Sequence, residues 1–299
     1  MKKISLYLSF AAVIFASCNN SSDSSSANAD TTSTTKKDSV DTSVTDQWKI
    51  GVQLWTFRLF TVTEALNKVD SAGAKVIEAF PGQKMGGDFS KNAAMGPDLS
   101  AADRTKLKDL LKSKGITMVA FGVTGGKDAK EWQKLFEFAK DMGLQYVTVE
   151  PEDKHWGLVD SLAGAYGVKA AIHDHPKPSH YWHPDSVLAA VKDHPNIGSC
   201  ADLGHWSRSG LDVVDCLKKL EGHIIGAHFK DVKYFGKTEE GDDVITGTGV
   251  NKWPDIFAEL KRQKFAGMFS IERENNWEHN MTDVQQEIKF FHEQVAALK

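Results

Sequence analysis

The sequence predicts an α/β fold, a (β/α)8 TIM barrel preceded by a signal peptide and a disordered tether. Three observations carry this. Strand-like and helix-like segments alternate eight times between Lys49 and Ala297. Without its polar N-terminal tether the chain is roughly 250 residues, the usual size of one such barrel. The stretch Ile197–Asp231 reads as one βαβ unit, with polar, metal-competent residues just after both of its apolar runs. Parallel strands deliver their last residues to one face, and sites are built there.

The chain opens with Lys2 and Lys3, an apolar run from Ile4 to Ala16, then Ser17 and Cys18. A charged start, a short apolar core and a small-residue end make a secretory signal, and the run is too short to span a bilayer. Phe15-Ala16-Ser17-Cys18 resembles the bacterial lipobox, in which the cysteine is lipidated and becomes the mature N-terminus. Residues 1–18 are therefore expected to be a lipoprotein signal peptide. Residues 19–47, nearly all Ser, Thr, Asn, Asp, Ala and Lys, are expected to be a disordered linker, because they bury too little apolar surface to offset ordering entropy. Residues 48–299 form the expected barrel. The expected location is exported, periplasmic or at the outer membrane, with the membrane touched only through a lipid anchor.

Within the barrel, Lys49–Phe57 alternates and is rich in β-branched and aromatic residues, which predicts the first strand. Val62–Ala72 follows as a helix, capped by Thr61 or Thr63 and ended by Gly73. Lys75–Phe80 is the second strand, and Pro81–Pro97, without periodicity, is a long loop. Ser100–Lys114 is a helix with Ser100 as N-cap and Asp103 three residues on, close to a capping box. Ile116–Phe121 is the third strand, and Ala129–Met142 a helix closed by Gly143. Gln145–Val149 is the fourth strand, and Gly157–Tyr166 the next helix. Val168–Ile172 is the fifth strand, followed by a helix over Pro184–Lys192. Ile197–Ala201 and Ile224–Ala227 are the sixth and seventh strands around a helix at Val213–Leu220. A loop at Lys233–Gly249 leads to a helix at Trp253–Arg262, the eighth strand at Met268–Ile271 and a closing helix at Asp283–Ala297. A doubly wound sheet would call for a glycine-rich phosphate turn after the first strand, and none stands there.

The formal net charge is −4, which argues against a nucleic-acid partner, since phosphate binding needs a basic surface. After Cys18 only Cys200 and Cys216 remain, too few for a disulfide scaffold, and both read as buried thiols.

Eight side chains fall at the predicted strand ends: Glu150, His173, His175, Asp202, His205, His228, Lys230 and Glu272. Singly, each has an ordinary structural reading, as a hydrogen-bonded histidine, a helix-capping glutamate or a local ion pair. Together they form a pattern: the fourth to eighth strands each end in a metal-competent side chain, and the first three do not. Carboxylates with one or two imidazoles suit a divalent metal: Mn, Co, Zn or Mg. His155, His180, His183 and His194 lie in loop-like stretches and take structural roles by default.

Ala-Asp-Leu-Gly-His-Trp at 201–206, Ala-His-Phe-Lys-Asp at 227–231 and Ser-Ile-Glu at 270–272 resemble the xylose isomerase-like barrels. That family of sugar isomerases and epimerases includes tagatose epimerases, hydroxypyruvate isomerases, inosose dehydratases and C-glycoside deglycosidases. The resemblance covers essentially the whole chain after the tether. It implies that Asp202, His228 and Glu272 are metal ligands. The family's fourth ligand is usually a Glu ending the fifth strand in Glu-Asn-His; here the place reads His173-Asp174-His175. Glu150, on the adjacent strand end, can supply the carboxylate. The expected set is Glu150, Asp202, His228 and Glu272, with His173 as a replacement or additional ligand. The epimerases' two-glutamate mechanism does not carry over directly.

The implied chemistry is proton removal beside a carbonyl, with the metal stabilising the developing enediolate oxygen. His175, His173, His205 and Glu150 are the candidate bases or acids. Lys230, on the face of His228, is either a donor to the oxyanion or an ion-pair partner of a ligand. Trp182, Trp206 and Trp277 either line the mouth or pack in the core. Export favours a free or glycosidic small-molecule sugar as substrate. The leading expectation is a lyase or hydratase acting on 3-keto-glycosides; the rival is an isomerase or epimerase of a free sugar. An endonuclease-IV-like role is disfavoured by the acidic charge and export, and a non-catalytic sugar-binding lipoprotein is the reading from another class.

Overall fold

The computed structural model describes residues 44–239 and 241–298. The expected signal peptide, and most of the expected linker, lie outside the described residues. At the linker's far end Val44 and Thr45 are buried, and Thr45–Gln47 form a 3-10 turn.

The strands in chain order are β1 Lys49–Gln53, β2 Val76–Ala79, β3 Thr117–Thr124, β4 Tyr146–Val149, β5 Lys169–His173, β6 Ile197–Asp202, β7 Ile224–Phe229, β8 Asp231–Val232, β9 Asp243–Val244 and β10 Met268–Ile271. Eight of them close a parallel barrel in the order β1-β10-β7-β6-β5-β4-β3-β2, while β8, just before the segment expected to be a loop, and β9, inside it, form a small antiparallel pair. The helices are α1 Val62–Ala72, α2 Ala101–Lys114, α3 Ala129–Met142, α4 Trp156–Tyr166, α5 Pro184–Val191, α6 Leu203–Arg208, α7 Val213–Lys219, α8 Trp253–Arg262 and α9 Met281–Ala297. Among the described residues no helix is long and apolar enough to cross a membrane.

Local chemistry sets the element ends. Thr61 caps α1 in a full capping box with Glu64, and Ser100 and Asp128 cap α2 and α3. Gly143 closes α3 at φ 72°, a left-handed turn that a side chain would strain. The first strand stops earlier than its apolar pattern suggests. The Gln53 side chain accepts from the Trp55 amide at 3.0 Å, and Leu54–Phe57 coil into a 3-10 turn that lifts Trp55 to the barrel mouth. The α6 turn was not legible as a helix; Asp202 starts it as N-cap.

Strand alternation divides the side chains into two layers. Val147, Val149, Ile172, Ala201, Phe229, Phe269 and Ile271 face outward into one continuous core with the helices. Phe229 and Trp253 pack at 4.6 Å between ring centroids, and Phe257 and Phe269 at 5.6 Å, which ties α8 to the β7–β10 wall. Tyr146, Ala171, Cys200 and Met268 form a separate interior cluster on the barrel axis. Further along the same alternation come His173, Asp202, His228 and Glu272, so the register that fills the barrel also aims these side chains inward. Cross-strand pairing aligns Asp202 with His228 and His228 with Ser270.

Candidate metal centre

Asp202 ends β6 with its two oxygens assigned to different tasks. Oδ1 accepts the amides of Gly204 at 3.0 Å and His205 at 2.8 Å, fixing the carboxylate on the first turn of α6. Oδ2 faces the axis, 3.4 Å from His228 Nδ1 and 3.6 Å from His173 Nε2. His228 Nδ1 also lies 3.1 Å from Glu272 Oε2. His173 Nε2 and His228 Nδ1 are buried and have no hydrogen-bond partner, which is costly in a core unless a further group satisfies them. One ligand atom from each of His173, Asp202, His228 and Glu272 lies within 4.8 Å of the others. Donors bound at about 2.1 Å to a tetrahedral ion stand about 3.4 Å apart. Two imidazoles and two carboxylates converging with orphaned atoms therefore fit a divalent ion.

Each imidazole is held from behind by a carboxylate. His173 Nδ1 meets Glu150 Oε1 at 3.1 Å, and His228 Nε2 meets Glu78 Oε2 at 3.1 Å. Such partners fix the ring orientation and tautomer of a ligating histidine. Glu150, expected among the ligands, thus stands one layer behind His173. It also bonds His175 Nδ1, and forms a second potential ligand group with His173 and His175. The physical reason is reach. His173 is on the adjacent strand and fills the space between Glu150 and the axis. Glu78 was missed altogether, because β2 carries no ligand-like motif at its end. The available signal was a charged residue in the apolar run Val76–Phe80, where a buried charge demands a partner.

Charge in the cluster is nearly all paired. Lys230 Nζ lies 2.8 Å from Glu272 Oε2, 3.1 Å from Asp202 Oδ2, 3.1 Å from Glu274 Oε2 and 3.0 Å from His205 Nε2. Burial disfavours its charge, but Asp202, Glu272 and Glu274 outweigh that and hold the ammonium well above its ordinary pKa. Burial holds His205 well below the usual imidazole range, so it is neutral and accepts from Lys230. Burial likewise opposes charging His173, but Asp202 and Glu150 lift it to about 9; a bound metal would displace that proton. Burial would raise Glu272, yet Lys230 and His228 bring it down to about 2. Glu150 is brought to about 2 against its own burial by His173 and His175. Arg208 bonds Glu274 Oε2 at 2.7 Å and pairs with Asp242 and Asp243, linking the cluster to β9.

Asp231, part of the polar run after β7, turns away from the axis. Its carboxylate accepts the amides of Val232, Gly247, Gly249 and Asn251 and the Trp253 indole, and so shapes the 245–251 loop. Trp206 is fully buried and packs in the core. Trp182 is half-buried with Lys177 Nζ 4.0 Å from its ring. Trp277 stands at the mouth, 6.4 Å from Trp55 between centroids, with the Arg58 guanidinium 3.9 Å over its ring. Beside the metal cluster, a cavity of about 230 Å³ is lined by Trp55, Phe80, Pro81, Gly122, Val123 and His175. The mouth is therefore ionic on the β5–β10 side and apolar over β1–β3. His183 caps α5 and His194 bonds the Ala190 carbonyl, the structural roles expected of them.

No curated protein matches the chain. Among solved structures, an uncharacterized protein from Parabacteroides distasonis is 36% identical, with TM-score 0.68 over 83% of this chain and 99% of that one. The IolI protein, solved with a zinc atom bound, is 17% identical, with TM-score 0.66 over 84% and 99% of the two chains. An L-ribulose 3-epimerase is 16% identical, with TM-score 0.62 over 84% and 95%. At these identities the last two share the fold. The model of the xylose isomerase-like TIM barrel family matches residues 66–294, and on that match the chain belongs to the xylose isomerase-like TIM barrel family.

Proposed function

We propose that this protein is a divalent-metal-dependent carbohydrate enzyme that removes a proton next to a carbonyl, acting as a lyase on 3-keto-glycosides. The observation that carries the reading is the cluster His173, Asp202, His228 and Glu272, in which His173 Nε2 and His228 Nδ1 are buried without a hydrogen-bond partner, beside the Glu150–His175 pair. A divalent ion held there would polarise a substrate carbonyl and stabilise negative charge on its oxygen. The zinc bound in the IolI neighbour, which shares this fold, supports a divalent metal.

The protein's own groups divide the remaining work. His175 is half exposed and its ring lies 4.5 Å from that of His173, so it borders both the metal cluster and the apolar cavity. With Nδ1 held by Glu150, its Nε2 is free to take a carbon-bound proton, the arrangement of a carboxylate-oriented imidazole base. Lys230 has three N–H donors and four acceptors within 3.1 Å, so it is committed to holding the carboxylates. His205 has its Nε2 occupied by Lys230. Neither Lys230 Nζ nor His205 Nε2 is left free for proton transfer, and both residues are positioning groups in this reading.

On a 3-keto-glycoside the carbonyl acidifies the C2 proton. His175 takes that proton, the C1–O bond breaks to leave a C1=C2 double bond conjugated to the ketone, and the protonated imidazole returns the proton to the departing oxygen, so the substituent leaves as an alcohol. The apolar side of the mouth suits that departing group. An isomerase or epimerase of a free sugar would share the first step, and the L-ribulose 3-epimerase neighbour supports it as the second reading. We also propose export by the N-terminal signal and a lipid anchor at Cys18, on the motif at 15–18. The deciding experiment is incubation of manganese- or cobalt-loaded protein with a 3-keto-glucoside in deuterated water. Metal-dependent release of the aglycone is expected. Exchange into a free ketose without release would give the isomerase reading, and sugar binding without any exchange would give a binding protein.

A further inference from the structure

We infer that Glu78 is a positioning residue of the metal centre, setting the tautomer and angle of His228 from inside the barrel; this rests on His173, Asp202, His228 and Glu272 being the ligands. Glu78 is fully buried, as is His228. Its Oε2 meets His228 Nε2 at 3.1 Å and accepts from Ser270 Oγ at 3.0 Å, while Oε1 accepts from Thr148 Oγ1. Two hydroxyls from β4 and β10 thus orient the carboxylate, and the carboxylate orients the ring. A carboxylate that accepts requires the proton on Nε2. That leaves the lone pair on Nδ1, the atom that faces Asp202 and Glu272 and has no hydrogen-bond partner. A neutral imidazole carries one proton, so the two nitrogens cannot both be free. The anion behind the ring also raises its basicity as a ligand.

Glu78 is one of three residues, with Cys200 and His228, that could themselves surround an ion. The geometry favours the support role, because the Nε2 that such an ion would use is already facing the Glu78 oxygen, whereas Nδ1 faces the carboxylate oxygens of Asp202 and Glu272 and has no hydrogen-bond partner.

The test is metal binding rather than turnover. Glu78→Gln keeps size and an acceptor oxygen but removes the charge. Calorimetric titration of the metal-free, full-length protein with cobalt should give a Kd roughly 10–100-fold weaker in Glu78→Gln than in the parent. Ser270→Ala, which leaves the Glu78–His228 bond in place, should shift Kd much less. A folded Glu78→Gln protein with parental Kd overturns the inference while leaving the ligand set intact. A parent that binds no cobalt overturns the ligand reading and this inference together. Where the variant fails to fold, nitrogen chemical shifts of His228 in the zinc-loaded parent decide instead: a protonated Nε2 and metal-bound Nδ1 are expected, and the reverse overturns it. A thiolate-to-cobalt charge-transfer band lost in Cys200→Ser would place the ion on the Glu78 side and also overturn it.

Discussion

Lys230 Nζ lies 2.8 Å from Glu272 Oε2, the same oxygen that faces His228 Nδ1 at 3.1 Å. A permanent ammonium and the candidate metal therefore share one carboxylate, and both neutralise the same buried negative charge. Replacing Lys230 by Met leaves Asp202, Glu272 and Glu274 facing one another without it. Breaking a buried pair in this way costs about 3–5 kcal/mol. The metal-free variant is expected to melt well below the parent. Saturating manganese should raise its melting temperature by more than it raises the parent's, because the ion then replaces the lost cation. Equal metal-induced shifts in the two proteins, read by calorimetry, would show that Lys230 and the ion do not share charge.

Glu150 serves two histidines, and that separates two variants. His175→Ala removes the proposed base and nothing behind the ligands, so turnover should fall roughly 10²–10⁴-fold with metal affinity unchanged. Glu150→Gln weakens the support of His173 as well as His175, so turnover and metal affinity should fall together. Isothermal titration and aglycone release measured on both variants check the split. A His175→Ala enzyme that keeps parental turnover would remove His175 from the chemistry.

Much of this was readable in the sequence because the barrel repeats one rule. Each strand is a short apolar run whose last inward residue meets the mouth, so Asp202, His228 and Glu272 could be placed before any coordinates. What was not readable depends on distances between strands far apart in sequence. Glu78 reaches His228 across 150 positions of chain, and no local pattern encodes that. The choice between Glu150 and His173 at the axis turns on which side chain fills the space between β4 and β5. Lys230 could be placed on the inner face by alternation, but its four acceptors come from β6, α6 and the segment after β10. The α6 turn and the β8–β9 pair were hidden for the opposite reason: they are too short to carry periodicity.

Trp55 tests the substrate side. It lines the cavity beside His175 and packs edge-on against Phe80 at 5.0 Å. If that side seats the departing group, Trp55→Ala should raise KM for an aryl 3-keto-glucoside about tenfold, in keeping with 1–3 kcal/mol for a lost aromatic contact surface. KM for the methyl 3-keto-glucoside should change little, and cobalt affinity not at all. Equal effects on both substrates, measured by steady-state kinetics, would assign Trp55 to the sugar ring or to the fold.

Glu287 makes stability depend on pH in a direction opposite to the metal-site carboxylates. It is fully buried on α9, and its Oε1 accepts from the Thr246 amide at 3.0 Å and hydroxyl at 3.2 Å. Burial pushes its carboxyl up from 4.5 to about 8, with Arg273 only partly opposing. Between those values the folded protein holds a proton that the unfolded chain has released. Folding is then favoured by protons, and this contribution is lost as pH rises from about 4.5 to about 8. Glu287→Gln mimics the protonated form and keeps an acceptor for Thr246. The variant should match the parent near pH 5 and exceed it at pH 8 by on the order of a few kcal/mol. Urea unfolding of both proteins across that range gives the difference directly, since other titrations cancel between them. A parent-to-variant difference that stays constant with pH would mean that Glu287 is ionised in the fold and paired with Arg273.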